Sequence, residues 1–125
     1  MKALLIDPNN RTVTEFEYDG DYRKISEAIG DGCRFFTTVN FPDGNNTIFV
    51  DDEGLISGEP KQFFQVPWYP TPLAGRGVVL GHDGQGESIA TTVQADILES
   101  AIRWVDPLEV YIRATRGEYD QMRGA

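Results

Sequence analysis

Cysteine occurs once in these 125 residues, as Cys33, and histidine once, as His82. A lone cysteine makes no internal disulfide, so nothing asks for an oxidising compartment. One Cys and one His fall short of a four-ligand zinc site unless two carboxylates join them, and no metal or cofactor is expected. Cys33 is expected as a small, half-buried residue beside "RFF" rather than a nucleophile, since no histidine lies near it in sequence. Long apolar runs are missing as well. None approaches the ~20 residues that span a bilayer, so no membrane partner is expected. The opening "MKALLIDPNN" has too few apolar residues for a secretory signal, which makes the cytoplasm the expected location. Basic charge is scarce: 11 Lys and Arg stand against 20 Asp and Glu, for a formal charge of −9. Such a surface repels phosphate backbones, so nucleic acid is not an expected partner.

Repeats, low-complexity runs and linkers are also missing. A chain of this length has the commonest size for one domain and can bury a core unaided. Residues 1–125 are therefore read as one compact domain, with 117–125 as a frayed tail.

The elements that are there alternate irregularly. "KALLID" reads as a short buried strand and "RTVTEFEY" as a half-exposed one, paired across the turn "PNN". "DYRKISEAIG" reads as a two-turn helix with Asp21 as its N-cap and Tyr22, Ile25, Ala28 and Ile29 on one face. "RFFTTVNF" and "NTIFVDD" form a hairpin across "PDGNN", which carries strong turn chemistry. "KQFFQVPWYPTP" starts extended and ends irregularly at its prolines. "GRGVVLG" is a strand, and "HDGQGES" a loop. A second helix is expected over Thr91–Val105, with Thr91 and Gln94 as a capping box and Ile97, Ala101 and Ile102 buried. Asp106-Pro107 is expected to end it, and "LEVYIRAT" to form a last strand. The sum is an α+β fold: a mostly antiparallel sheet of about five to seven short strands, with two helices packed on it.

The stretch "LAGRGVVLGHDGQGES", residues 73–88, holds five glycines and the lone histidine. A phosphate-binding P-loop would need Lys and then Ser or Thr after its glycines, and neither follows here. A dinucleotide fingerprint would need G-x-G-x-x-G between a strand and a helix, and glycines at 75, 77 and 81 miss that spacing. The glycines are expected to serve the backbone, with Gly75 and Gly81 bracketing the strand Val78–Leu80. His82 and Asp83 would be the acid–base pair of a small hydrolase, but no nucleophile is paired with them in sequence, and His82 is expected on an exposed loop. "DDEG" at 51–54 lacks the ligand spacing of an EF-hand and reads as a turn. The richest candidate is "FFQVPWYPTP", whose aromatics either roof the core or form a binding surface.

The order "VDDEGLISGEP" then "LAGRGVVLG" resembles the domain of unknown function 3846 family, small proteins of phages, mobile elements and their bacterial hosts. Glu53, Gly54, Leu55, Gly58 and Pro60 match the family's acidic turn. Ala74, Gly75, Val78, Val79, Leu80 and Gly81 match its small-residue lead into a hydrophobic strand. The resemblance covers residues 1–81. Lys61 and Gln62 stand where the family often has an Asn-Arg pair, which puts any binding role of that pair in doubt here. The resemblance implies a phage-linked accessory protein in a bacterial cytoplasm, and it implies no reaction.

These observations give three functional expectations. The first is a non-enzymatic accessory protein that binds a host protein or a small ligand. The second is a sponge that sequesters a nucleotide signal, with Arg34, Trp68, Tyr69, Arg76 and His82 as contacts, because arginine recognises phosphate and aromatics stack on bases. The third is the hydrolase using His82 and Asp83. Self-association of the chain is left open.

Overall fold

The computed structural model describes residues 1–30, 36–51 and 62–117. Among them run nine strands and three helices, and every strand pairing is antiparallel. The first strand, β1 (Lys2–Asp7), pairs along its whole length with β2 (Thr12–Glu17). Asp7 closes the turn between them: its carboxylate accepts from the backbone N–H of Asn9 at 3.0 Å and from Asn10 Nδ2 at 2.8 Å.

The helix α1 (Arg23–Ile29) follows; its N-cap is Tyr22 rather than Asp21, and Tyr22 is exposed while Ile25 and Ile29 are buried, with Asp21 accepting from the Arg23 N–H just ahead of the helix. Next come β3 (Phe36–Asn40) and β4 (Asn46–Asp51), joined through residues 41–45. The strand β7 (Gly77–His82) lies between β1 and β4, so the large sheet has the order β2-β1-β7-β4-β3. Its sequence, Gly-Val-Val-Leu-Gly-His, is apolar at consecutive positions because both of its faces are covered. β8 (Ser88–Ile89) pairs with the last two residues of β7, so "HDGQGES" is the tip of a hairpin and His82 belongs to a strand.

A second, smaller sheet has the order β6-β5-β9, from β5 (Phe63–Gln65), β6 (Leu73–Ala74) and β9 (Arg103–Val105). Strand alternation then sorts the core into layers. On one face of the large sheet, Ala3, Val78 and Leu80 pack with Ile25 and Ile29 of α1. On the other, Leu4, Ile6, Ile48 and Val79 pack with Phe64 and Leu73 of the small sheet, and with Leu98 of α2 (Ala95–Ala101) and Ile102 just beyond it. The far face of the small sheet, Phe63, Ala74 and Val105, is backed by Val110 and Ala114 of α3 (Pro107–Thr115). Among the described residues no helix is long and apolar enough to cross a membrane.

The α+β, antiparallel architecture is as expected, but with two sheets, three helices and cover on both faces of the large sheet. The C-terminal third differs most. The helix expected over Thr91–Val105 is only the seven residues of α2. Thr91 does not cap it: its buried hydroxyl donates to Asn46 Oδ1 at 2.7 Å. At the other end, Ile102 is already extended, and Arg103–Val105 pairs with β5. Sheet hydrogen bonds there outcompete the helical period. The buried face is also turned by one residue. Leu98 is 2% exposed, whereas Ile97 is 60% exposed and Ala101 is exposed too, against expectation.

"LEVYIRAT" is a helix, not a strand. Asp106 does not end a helix but caps this one, its Oδ1 accepting from the Leu108 N–H at 2.8 Å, with Pro107 in the first turn. An extended residue before proline is also what an N-cap requires, so the same dipeptide stops one helix or starts the next.

Gly75 and Gly81 do serve the backbone. Gly75 has φ +76°, where a side chain is strained. A Cβ on Gly81 would lie 2.7 Å from the carbonyl oxygen of Ala90. Cys33 and the acidic turn at 53–60 lie outside the described residues.

Two comparisons check this packing by urea denaturation. Leu98→Ala should cost about 2–5 kcal/mol, and Ile97→Ala should stay within about 0.5 kcal/mol. Gly81→Ala should cost about 1–3 kcal/mol through overpacking. Gly84→Ala, with open space around it, is the control.

Candidate functional site

The β3–β4 turn, Phe41-Pro42-Asp43-Gly44-Asn45, is the element on which a site is built. Asp43 shapes it. Its Oδ1 accepts from the backbone N–H groups of Asn45 at 2.7 Å and Asn46 at 3.2 Å, and its Oδ2 accepts from Asn46 Nδ2 at 2.8 Å. The Asn45 amide, with help from Asn46 and His82, holds the Asp43 carboxyl below the usual carboxylate range. Asn46 is fully buried. Its Oδ1 accepts from the Thr91 hydroxyl and its Nδ2 donates to Thr92 Oγ1 at 3.0 Å. This amide ties the turn to the segment that leads into α2.

The result is a groove of about 370 Å³ between the turn, the β5–β6 connection and α2. Phe41 and Trp68 wall it, their rings 4.7 Å apart between centroids and tilted by 41°. Val93, Leu98 and the exposed Ile97 add apolar surface, and Asp43, Thr92 and Gln94 add polar groups. The Trp68 Nε1–H is buried and has no hydrogen-bond partner.

The aromatic strip therefore divides. Phe63, Phe64 and Val66 are core, while Trp68 and Tyr69 are half-buried and pack on it from the edge. Arg76 and His82 do not join them. Arg76 stands just before β7, with Nε 3.8 Å from Asp7 Oδ2 at the β1–β2 turn. His82 ends the same strand, roughly 20 Å away at the rise of an extended chain.

His82 is half-buried rather than exposed, and it braces the β3–β4 turn. Its Nε2 lies 2.8 Å from the Gly44 carbonyl and its Nδ1 lies 3.1 Å from Thr47 Oγ1. The carbonyl can only accept, so Nε2 carries a proton. Alternation along β7 puts His82 on the α1 side of the sheet with Val78 and Leu80, opposite the groove. Asp83 holds its own turn, accepting from the N–H groups of Gln85 at 2.9 Å and Glu87 at 3.0 Å. Both members of the expected acid–base pair are thus engaged in turns. The neighbouring Thr47 hydroxyl is buried and lies 3.0 Å from Asn40 Oδ1. Arg34 lies outside the described residues. Among the described residues no group of three His, Cys, Asp or Glu is placed to hold a metal.

The family model described as Domain of unknown function (DUF3846) matches residues 1–103. The chain belongs to the DUF3846 family. No curated protein and no solved structure matches it. The DUF3846 match runs past the residues 1–81 that carry the sequence resemblance. It takes in α2 and every residue that lines the groove, ends at the first residue of β9, and leaves α3 outside.

Sequence reasoning missed Asp43, Asn46, Thr92 and Gln94 as site residues. The Asp-Gly-Asn-Asn run did mark the turn. The pairing of Asn46 with Thr91 and Thr92, 45 and 46 positions away, has no local trace.

A carboxyl with a lowered folded-state pKa stabilises the fold above its unfolded value and loses that contribution as pH falls through the folded value. Asp43→Asn should therefore be less stable than wild type at neutral pH. The gap should narrow on acidification below about pH 4, the unfolded carboxyl range, as read by urea midpoints at pH 7 and in acid.

Proposed function

We propose that this DUF3846 domain is a non-enzymatic binding protein whose Trp68–Phe41 groove captures a short apolar segment of a partner protein carrying a lysine or arginine. The observation that carries this reading is the composition of the groove. An aromatic wall and an ionised carboxylate line one cleft whose other walls are mostly apolar. A cation is attracted by both the carboxylate and the indole face, and its aliphatic stem suits the apolar walls. The volume lies at the small end of ligand pockets, enough for about two or three side chains. The charge of −9 steers basic partners towards the surface and acidic ones away.

The phage and mobile-element setting implied by the family resemblance makes a bacterial host protein the natural source of the segment, met in the cytoplasm. A nucleotide has less support. Arg76 and His82 stand at opposite ends of a strand, and Asp43 would repel phosphate in the groove.

The test is an array of short peptides that vary one charged and one apolar position, followed by titration of the best binders. Peptides pairing Lys or Arg with Leu or an aromatic should be enriched. Trp68→Ala and Asp43→Asn should each weaken them by at least about tenfold, with unchanged circular dichroism. Selection of acidic peptides, or a thermal shift with nucleotides that persists in both variants, would replace this reading.

A further inference from the structure

α3 presents a second surface, away from the groove and outside the family match. Val110 and Ala114 face the small sheet. The opposite side carries Leu108, Tyr111, Ile112 and Thr115, spaced i, i+3, i+4 and i+7, the stripe of a helix that packs on another. Leu108 is 63% exposed, Tyr111 67% and Ile112 40%. Three large apolar side chains on one nine-residue helix is a concentrated patch on a chain so acidic.

Its charges are arranged by direction. Glu109 follows the stripe at the N-terminal end and Arg113 and Arg116 follow it at the C-terminal end, all on the same flank. A groove of about 440 Å³ runs along that flank between the apolar stripe and these charges. At 100° per residue, Glu109 and Arg116 project in nearly the same direction, two turns apart.

We propose that α3 is the contact of a two-fold symmetric dimer, in which the helices of two copies pair antiparallel. With Tyr111 of one copy over Ile112 of the other, Leu108 meets Thr115 of the second chain. The same register places Glu109 of each copy beside Arg116 of the other. A parallel two-fold pair would put the two flanks on opposite sides of the contact and leave these charges without partners across it, so charge favours the antiparallel one. Glu109 already lies 3.2 Å from Arg103 and 3.8 Å from Arg113, which holds its carboxylate at the flank. This flank carries more arginine than acid, so pairing here avoids the acidic remainder of both chains. Long-range repulsion between two such chains is screened beyond about 8 Å at physiological ionic strength. A contact of one helix per copy is small, which puts the dissociation constant on the order of 10–100 µM. The Trp68 grooves stay open in this arrangement, giving a bivalent particle.

Sedimentation of the full chain from about 5 to 500 µM tests this, the span bracketing that constant. A reversible monomer–dimer equilibrium is expected. Tyr111→Glu and Leu108→Glu should each weaken it by at least about tenfold while circular dichroism stays unchanged, since both side chains are exposed. Arg116→Glu should weaken it too, and adding Glu109→Arg to that variant should restore it, which a contact elsewhere would not do. A chain that stays monomeric throughout, a dimer indifferent to Tyr111→Glu, or a charge swap without rescue would overturn the proposal.

Discussion

The buried amide of Asn46 is the constraint on which the candidate site depends. A primary amide in a dry interior is costly unless its oxygen and nitrogen are both satisfied. Here Asp43, Thr91 and Thr92 satisfy them together. The partners come from two stretches, the β3–β4 turn and the segment that leads into α2, so the amide ties both to the start of β4. It sets the shape of the β3–β4 turn and the path of the chain into α2, and it thereby sets which side of α2 meets the core. Phe41 and Trp68 can pack together as one wall of the groove because the turn that carries Phe41 is held by these bonds. His82 supports the same turn from the other side of the sheet through the Gly44 carbonyl.

Covered faces explain the rest of the architecture. β7 and β1 are apolar on both sides, so the large sheet needs a layer on each. α1 supplies one, and the small sheet with α2 supplies the other. The small sheet then has its own apolar outer face, and α3 answers it. Glu99 of α2 reaches back to accept from the Val13 N–H on the edge strand β2, which ties the helix to the sheet and occupies one open edge position.

Electrostatics divides the surface into two regions. Asp43 is a carboxylate held below its usual pKa range by the turn amides, and it lines the same groove as Trp68. The flank of α3 gathers Arg103, Arg113 and Arg116 around Glu109, within a chain that is otherwise strongly acidic. The two regions belong to different layers, so one can be occupied without closing the other.

Periodicity and turn chemistry made the N-terminal two-thirds legible. The β1–β2 and β3–β4 hairpins, α1 and β7 follow from alternation, from Asp-Gly-Asn turns and from a two-turn apolar face, all of which are local. The family was legible as well, from turn glycines and strand residues. The C-terminal third was not. Thr91 looks like a cap until Asn46 takes its hydroxyl, and Arg103–Val105 continues a helical pattern until β5 offers it backbone partners. "LEVYIRAT" carries β-branched and aromatic residues that suit either state, and the helix follows from packing Val110 and Ala114 on the small sheet. Trp68 was legible as a candidate, but its neighbours in the groove come from residues 24 or more positions away. Local preferences are worth a fraction of a kcal/mol per residue, whereas a buried hydrogen bond or side chain is worth about one to several. Where the two agreed, the sequence determined the element. Where they conflicted, tertiary contacts decided.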